Sequence, residues 1–123
     1  MHLIKLTEVN QSEKSLTQAI LQISQMLGIY NAELASLLGL RCSDIADFSA
    51  SKKTLRINTL VWKRGELLVS LFECLYAHCQ GAEACMHNWL RREHAGLQAT
   101  PLYLMVDEKK IESVFDALKN ANK

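Results

Sequence analysis

The residues best suited to chemistry lie close together, because three of the four cysteines and two of the four histidines fall between positions 74 and 87. Thiolates and imidazoles bind zinc, but the paired cysteines of zinc sites usually stand two to four residues apart on a turn. Cys74, Cys79 and Cys85 are spaced more widely and fall on two predicted helices. The sequence also shows no base or orienting carboxylate that would activate one of these thiols as a nucleophile. We therefore predict no metal, no cofactor and no catalytic residues.

The composition favours helices over sheets. Hydrophobic residues make up 49% of the 123 residues, enough for a buried core, and the chain contains one proline and five glycines. A turn-rich β-sandwich needs more of both residue types. The net charge of +1 at pH 7 gives no strong field towards nucleic acid or a membrane. Charge balance therefore neither supports nor excludes DNA binding.

The same sequence predicts a cytoplasmic protein without membrane contact. The first residues lack the charged-then-apolar pattern of a signal peptide, and no apolar run approaches the ~18 residues that span a bilayer. Thiols stay reduced in the cytosol. We therefore expect free, mostly buried cysteines at all four positions, which are Cys42, Cys74, Cys79 and Cys85.

Apolar periodicity predicts an all-α fold of six or seven helices. Before Ser12 the pattern allows either a short strand or a disordered arm. Ser12 is the expected N-cap of a helix that ends at Gly28, Asn31 of a helix that ends at Gly39, and Ser43 of a helix that buries Ile45, Ala46 and Phe48.

The C-terminal half is predicted to contain the longest helix, from about Thr59 to Cys79, capped by Asn58. Gly65 within this helix indicates close packing by a neighbour. Further helices are expected after Gly81, at Pro101 and after Asp107. The polar stretch from Ser51 to Arg56 predicts a division into residues 1–56 and 57–123.

The helices on either side of Gly39 match the spacing of a helix-turn-helix, whose second helix enters the DNA major groove. Segment 31–56 has a net charge of only +1, and acids on a recognition helix repel the phosphate backbone. The alternative is a helical hairpin used for packing or dimerisation. Exposed side chains predicted to contact DNA are Arg41, Ser43, Asp44 and Asp47, with Lys52 and Lys53 at the phosphates.

From Val61 onward the sequence resembles the C-terminal toxin-binding domain of the Xre/MbcA/ParS antitoxin family. The matching features, in order, are Arg64, Trp89-Leu90-Arg91, Leu97, Pro101-Leu102, and a closing helix with Val114 and Leu118. Upstream, residues 34–40 and 52–55 are similar to the Xre-like helix-turn-helix of the same proteins. Two departures lie in the loop, where Gln98-Ala99 replaces a usual glycine pair and His94 replaces an asparagine.

The resemblance implies an Xre-like helix-turn-helix packed on a helical toxin-binding domain. Such a protein is a non-enzymatic antitoxin of a type II module that blocks a RES-domain, NAD-degrading toxin and represses its own operon. Short helices and paired operator half-sites further predict a homodimer formed through the N-terminal half. Predicted toxin contacts are Trp89, Arg91, Arg92, Pro101, Leu102, Lys119, Asn120 and Lys123.

Two other functions remain open from the sequence. One is a helix-turn-helix regulator that acts without a toxin, and the other is an enzyme that uses a Cys/His pair. For the toxin contacts, the alternative is that Trp89 is a core residue and that the polar C-terminal tail is only solvated.

Overall fold

A computed structural model describes residues 3–121, and this part of the chain is all-helical, with eight helices and no strand. The all-α prediction is confirmed. The additional helix is α1, where a strand or a disordered arm was expected. The helices are α1 (Leu6–Val9), α2 (Glu13–Met26), α3 (Asn31–Leu38), α4 (Cys42–Ser49), α5 (Leu60–His78), α6 (Glu83–Arg91), α7 (Pro101–Val106) and α8 (Ile111–Ala121).

The caps at the starts of α3 and α4 differ from those expected. Ser12 caps α2 as predicted, because its side chain accepts from the amide of Ser15. At α3, however, the carboxylate of Glu33 accepts from the Tyr30 amide at 2.9 Å, and Tyr30 is the N-cap. At α4, Asp44 likewise accepts from the Arg41 amide at 3.0 Å. An acid in the first turn satisfies a free amide without a polar cap side chain, so the predicted caps Asn31 and Ser43 are wrong.

Two later caps are also shifted along the chain. The Thr59 hydroxyl accepts from the Trp62 amide at 3.1 Å and caps α5, while the expected cap, Asn58, forms the preceding turn at a φ of 67°. Asp107 closes α7 as its C-cap rather than opening α8. Pro101 is the first residue of α7, as predicted.

Helix α5 is the centre of the packing, with α2 and α8 as its main neighbours. A cluster of buried side chains extends from Ile4 to Leu118 and includes residues from both predicted halves. A Cβ atom added at Gly65 would lie 2.6 Å from Cδ1 of Ile20 in α2. The prediction of close packing at Gly65 is therefore confirmed. Ala46, which was expected to be buried, is exposed on α4.

Helix α3 is held at both ends by cations from the C-terminal half. At its last turn, Nη1 of Arg64 donates to the Leu38 carbonyl at 3.2 Å, and the Lys109 ammonium donates to the carbonyl of Ser36. Positive charge is favourable at this end of the helix dipole. At the other end, Arg91 bonds to Glu33 in the first turn. Residues beyond position 57 thus fix where α3 lies.

The cysteines depart from the sequence expectation. Cys79, which caps the end of α5, forms a disulfide with Cys85 of α6, and their Cα atoms are 5.6 Å apart. The prediction that all four thiols are free is wrong, because the chain reverses through Gln80 and Gly81, both at positive φ, and brings the two residues together. Of the other two cysteines, which were expected to be mostly buried, Cys42 is exposed on α4 and Cys74 is partly buried.

Candidate functional site

Arg91, the last residue of α6, joins that helix to the turn between α2 and α3. Its Nη2 donates to Glu33 Oε1 at 2.9 Å and to the Gly28 carbonyl at 2.7 Å, and its Nη1 lies 3.3 Å from Glu33 Oε2. The guanidinium also stacks over the Tyr30 ring, 5.1 Å from its centroid. A two-pronged pair of this kind fixes the direction as well as the position of the guanidinium.

Around Arg91 lies a surface that combines exposed tyrosines with charge, which we call the α6-end surface and define as Tyr30, Arg91, Arg92 and Tyr103. Tyr30 is 69% exposed and Tyr103 is 48% exposed. Arg91 and Tyr103 line the same shallow groove, and Arg92 is exposed at the end of α6. Tyrosine and arginine are the residue types enriched at protein interfaces.

Trp89 is half-buried and packs against His94 in the following loop. The two ring centroids are 4.9 Å apart, and His94 Nε2 lies 3.0 Å from the Trp89 carbonyl oxygen. That oxygen can only accept, so this ring nitrogen donates. The loop closes through His94 and Ala99, and Gln98 within it has a φ of 58°. Gln98 therefore adopts the left-handed backbone conformation at a position where a glycine would be more common.

Of the remaining predicted toxin contacts, Leu102 lines the same groove as Arg91, and Lys119 and Asn120 lie apart on α8. Pro101 and Leu102 are the first two residues of α7, and both are buried. The exposed residue of that helix's first turn is Tyr103. Lys119 pairs with Asp116 at 3.4 Å and stacks over Phe115. Asn120 is exposed, and both residues are helical because α8 continues to Ala121. Lys123 lies outside the described residues.

The predicted DNA contacts lie around the α3–α4 turn. The Arg41 side chain is 83% exposed, and Ser43 and Lys52 are exposed. Asp44 is only 9% exposed, so the expectation of an exposed side chain is wrong, because the carboxylate faces inward to cap α4. The remaining exposed face of α4 consists of small residues, which are Cys42, Ala46 and Ser49.

Lys53 is occupied by acids of α4. Its ammonium lies 2.7 Å from Asp44 Oδ1 and 3.6 Å from Asp47 Oδ2. The hydrogen bond from Lys53, followed by that from the Arg41 amide, holds the pKa of Asp44 below its ordinary value. The same bond raises the pKa of Lys53. Among the predicted phosphate contacts, Lys53 is thus already paired within the chain.

Sequence reasoning missed three residues at these sites, namely Tyr30, Glu33 and Tyr103. Glu33 and Arg91 are separated by 58 positions, and helical periodicity carries no information about contacts at that distance. Tyr103 had a local signal, because it follows the buried pair 101–102 on the first turn of a short helix. An aromatic residue on the opposite face of such a helix is exposed.

Two other features, a metal-binding cluster and a membrane-spanning helix, are absent from residues 3–121. No group of three or more His, Cys, Asp and Glu side chains is placed to hold a metal ion. None of the helices in this range combines the length and the apolar character needed to cross a membrane. No protein-family model matches the chain, and no curated protein matches its sequence.

Proposed function

We propose that this chain is the antitoxin of a type II toxin–antitoxin module, and that it binds and blocks a RES-type toxin that degrades NAD. The observation that carries the proposal is the α6-end surface, because Arg91, Arg92 and Tyr103 lie in the segment that resembles the toxin-binding domain of Xre/MbcA/ParS antitoxins and Tyr30 packs beside them. The proposed role is binding rather than catalysis.

The geometry of Arg91 supports this role. Its guanidinium is held by Glu33 and Gly28, yet its side chain remains 40% exposed. A side chain fixed before binding loses little conformational freedom when a partner arrives. Arg92 beside it is exposed and suited to pair with an acid at the rim of the toxin. Tyr30 and Tyr103 supply rigid contact area on the same surface.

The end of α8 is proposed as a second contact with the toxin. Lys119 and Asn120 are exposed on the last turn, and Leu118 is the last buried side chain of the helix. The exposed ammonium of Lys119 is suited to pair with carboxylates at the rim of the toxin's pocket. Truncation after Leu118 removes these side chains and leaves the buried face of α8 intact.

For the N-terminal half we propose an Xre-like helix-turn-helix formed by α3, the turn 39–41 and α4, with which the protein represses its own operon. The small side chains on the exposed face of α4 allow its backbone to approach a groove closely. Arg41 and Lys52 flank that face and are the exposed cations for base or phosphate contacts. Ser43 is the hydroxyl donor on the same turn.

The toxin proposal is tested with the protein encoded beside this chain's gene, as purified toxin in an NAD-hydrolysis assay. We expect the wild-type chain to inhibit hydrolysis stoichiometrically. Arg92→Glu and Tyr103→Ala should each weaken inhibition about tenfold or more, because central interface side chains contribute most of the binding energy. Truncation after Leu118 should weaken inhibition while leaving the helical circular dichroism unchanged.

Lys14→Glu is the matched control for Arg92→Glu. Lys14 is exposed at the second position of α2, and Arg91 contacts the opposite end of that helix, so roughly 20 Å of helix separates the two sites. This variant should inhibit as well as the wild type. Unchanged inhibition by Arg92→Glu, Tyr103→Ala and the truncated chain together would show that the site assignment is wrong.

A regulator that acts without a toxin is the second candidate, and the exposed face of α4 favours it. Both candidates predict operator binding that Arg41→Ala and Lys52→Ala weaken. They differ in the toxin assay, because a stand-alone regulator binds its DNA but does not affect hydrolysis of NAD by the neighbouring gene product.

A further inference from the structure

Among residues 3–121, the largest exposed aliphatic side chains lie together just before and at the start of α5. Leu60 is 61% exposed and Ile57 is 56% exposed. Leucine and isoleucine at this exposure lose favourable burial energy in water. Neighbouring exposed aliphatics of this size mark a candidate interaction surface.

The chain holds these side chains outward by specific bonds. The Ile57 amide donates to Glu13 Oε2 at 2.8 Å, and the Thr59 hydroxyl donates to the Arg56 carbonyl at 2.6 Å. Asn58 between them has a φ of 67°, a conformation that few residues adopt without a reason in the fold. Hydrogen bonds within the chain therefore hold the turn that exposes Ile57.

Leu60 is part of a ridge with a groove on each side. Leu60, Lys63 and Glu66 line both grooves, and we call these three residues the Leu60 ridge. The other walls are apolar in part, formed on one side by Ile57 and Trp62 and on the other by Leu6, Leu67 and Ile111. A ridge beside a groove is the shape that packs against a second copy of itself.

The charges on the Leu60 ridge are also complementary to themselves. Lys63 and Glu66 are one helical turn apart, and neither forms an ion pair with any residue in 3–121. Glu66 Oε2 accepts a single long hydrogen bond, 3.5 Å, from Nδ2 of the Asn10 side chain. When two such helices cross antiparallel about a two-fold axis, the lysine of each faces the glutamate of the other.

We propose that a second copy of this chain docks on the Leu60 ridge to form a two-fold symmetric dimer. Each Leu60 enters the groove beside α5 of the partner subunit, and each Lys63 pairs with Glu66 of the partner subunit. The interface thus lies at residues 57–67 with α1 beside it, in contrast to the expectation of dimerisation through residues 1–56. The proposal does not depend on the antitoxin role.

The first test is sedimentation velocity of the full chain at micromolar concentration. The wild type should sediment as a dimer and Leu60→Glu as a monomer with unchanged helical circular dichroism. Tyr103→Glu is the matched control, since it places the same charge at another exposed apolar residue, and it should remain a dimer. A monomeric wild type overturns the proposal, whether the Leu60 ridge is then exposed to solvent or bound by another protein. A dimeric Leu60→Glu chain also overturns it.

The second test exchanges the charges. Lys63→Glu alone and Glu66→Lys alone should each raise the dimer dissociation constant about tenfold, because either change creates two like-charge contacts in a symmetric interface. The double variant, with both changes in one chain, restores opposite charges and should return the constant to the wild-type value. Failure of the double variant to recover dimerisation overturns the proposed pairing.

Discussion

Gly65 lies where α5 packs against α2, and the Cβ atom that alanine would add lies 2.6 Å from Cδ1 of Ile20, which must therefore shift. Valine at this position adds still more volume to a core whose neighbouring side chains are fully buried. We expect Gly65→Val to lower the free energy of unfolding by about 1–3 kcal/mol, the usual cost of overpacking. Urea denaturation followed by circular dichroism measures the change.

Gly96 provides the matched control for Gly65→Val, because a Cβ atom added there meets no atom within 4 Å. Gly96→Val should change the free energy of unfolding by no more than about 0.5 kcal/mol. Equal losses in the two variants would mean that the approach of α2 to α5 does not require glycine.

Asp44 gives the fold a predictable dependence on pH. Its pKa is lowered below 3.8, first by the Lys53 hydrogen bond, so its stabilising contribution is complete above 3.8 and is lost as the pH falls through the lower folded-state value. The pKa of Lys53 is raised above 10.5, so its contribution is complete below 10.5 and is lost as the pH rises through the higher folded-state value. Between these limits the pair is fully charged.

We therefore expect Asp44→Asn to unfold at lower urea concentration than the wild type at neutral pH. The difference should shrink as the pH is lowered progressively below 3.8, because the wild type then loses the same charge. Asp47→Asn removes the more distant acid, 3.6 Å from Lys53, and should cost less at neutral pH. A difference between Asp44→Asn and the wild type that stays constant with pH would contradict the prediction.

At the scale of single residues, the sequence predicts glycine positions better than caps. Gly65 was expected to be closely packed, and it is. The predicted caps Asn31 and Ser43 were wrong because the acid at the third position of each helix, Glu33 in α3 and Asp44 in α4, replaces the cap side chain. Both acids are visible in the sequence. Whether each carboxylate caps its helix or faces solvent, however, depends on the neighbours that α3 and α4 acquire on folding.

At the scale of elements, Arg91 ties α6 to the α2–α3 turn. Arg91→Ala removes the bonds to Glu33 and Gly28 and the stacking on Tyr30, and should lower the free energy of unfolding by about 1 kcal/mol. Arg91→Lys should recover only part of the loss, because an ammonium cannot form the two-pronged pair. Urea denaturation and hydrogen exchange at the amides of residues 28–34 measure both effects.

Arg92→Ala is the control for the Arg91 variants. Arg92 is exposed at the C-cap of α6, so its loss should change stability by no more than about 0.5 kcal/mol. The Arg91 variants thus report mainly on stability, and the Arg92 variants report on the proposed toxin contact. Equal destabilisation by both changes would show that the bonds of Arg91 to Glu33 and Gly28 add nothing to stability beyond what the exposed Arg92 contributes.

The existence of the helices was predictable from the sequence, but their long-range partners were not. Periodicity identifies the buried face of each helix without saying which helix covers it. The bond from Lys109 to Ser36 joins positions 73 residues apart, and that from Arg91 to Glu33 joins positions 58 apart. The disulfide between Cys79 and Cys85 was missed because the prediction treated their helices as separate and their thiols as packing groups.

At the scale of the whole molecule, the buried cluster includes both predicted halves. We expect residues 1–56 and 57–123 to unfold together in one transition, because α5 loses a main packing neighbour without α2. The urea curves from far-ultraviolet circular dichroism and from the fluorescence of Trp62 and Trp89 should coincide. Two separate transitions, or a fragment 57–123 that unfolds as sharply as the full chain, would contradict this.

The disulfide between Cys79 and Cys85 makes a small covalent ring of the backbone at the α5–α6 turn. A protease that cuts inside this ring, at Gln80 or Gly81, does not separate the products, because the bridge still joins them. Such a nick adds the mass of one water to the intact chain, and two fragments are released only after a reductant is added. Limited proteolysis of this protein therefore needs paired reduced and unreduced samples for its cleavage map to be complete.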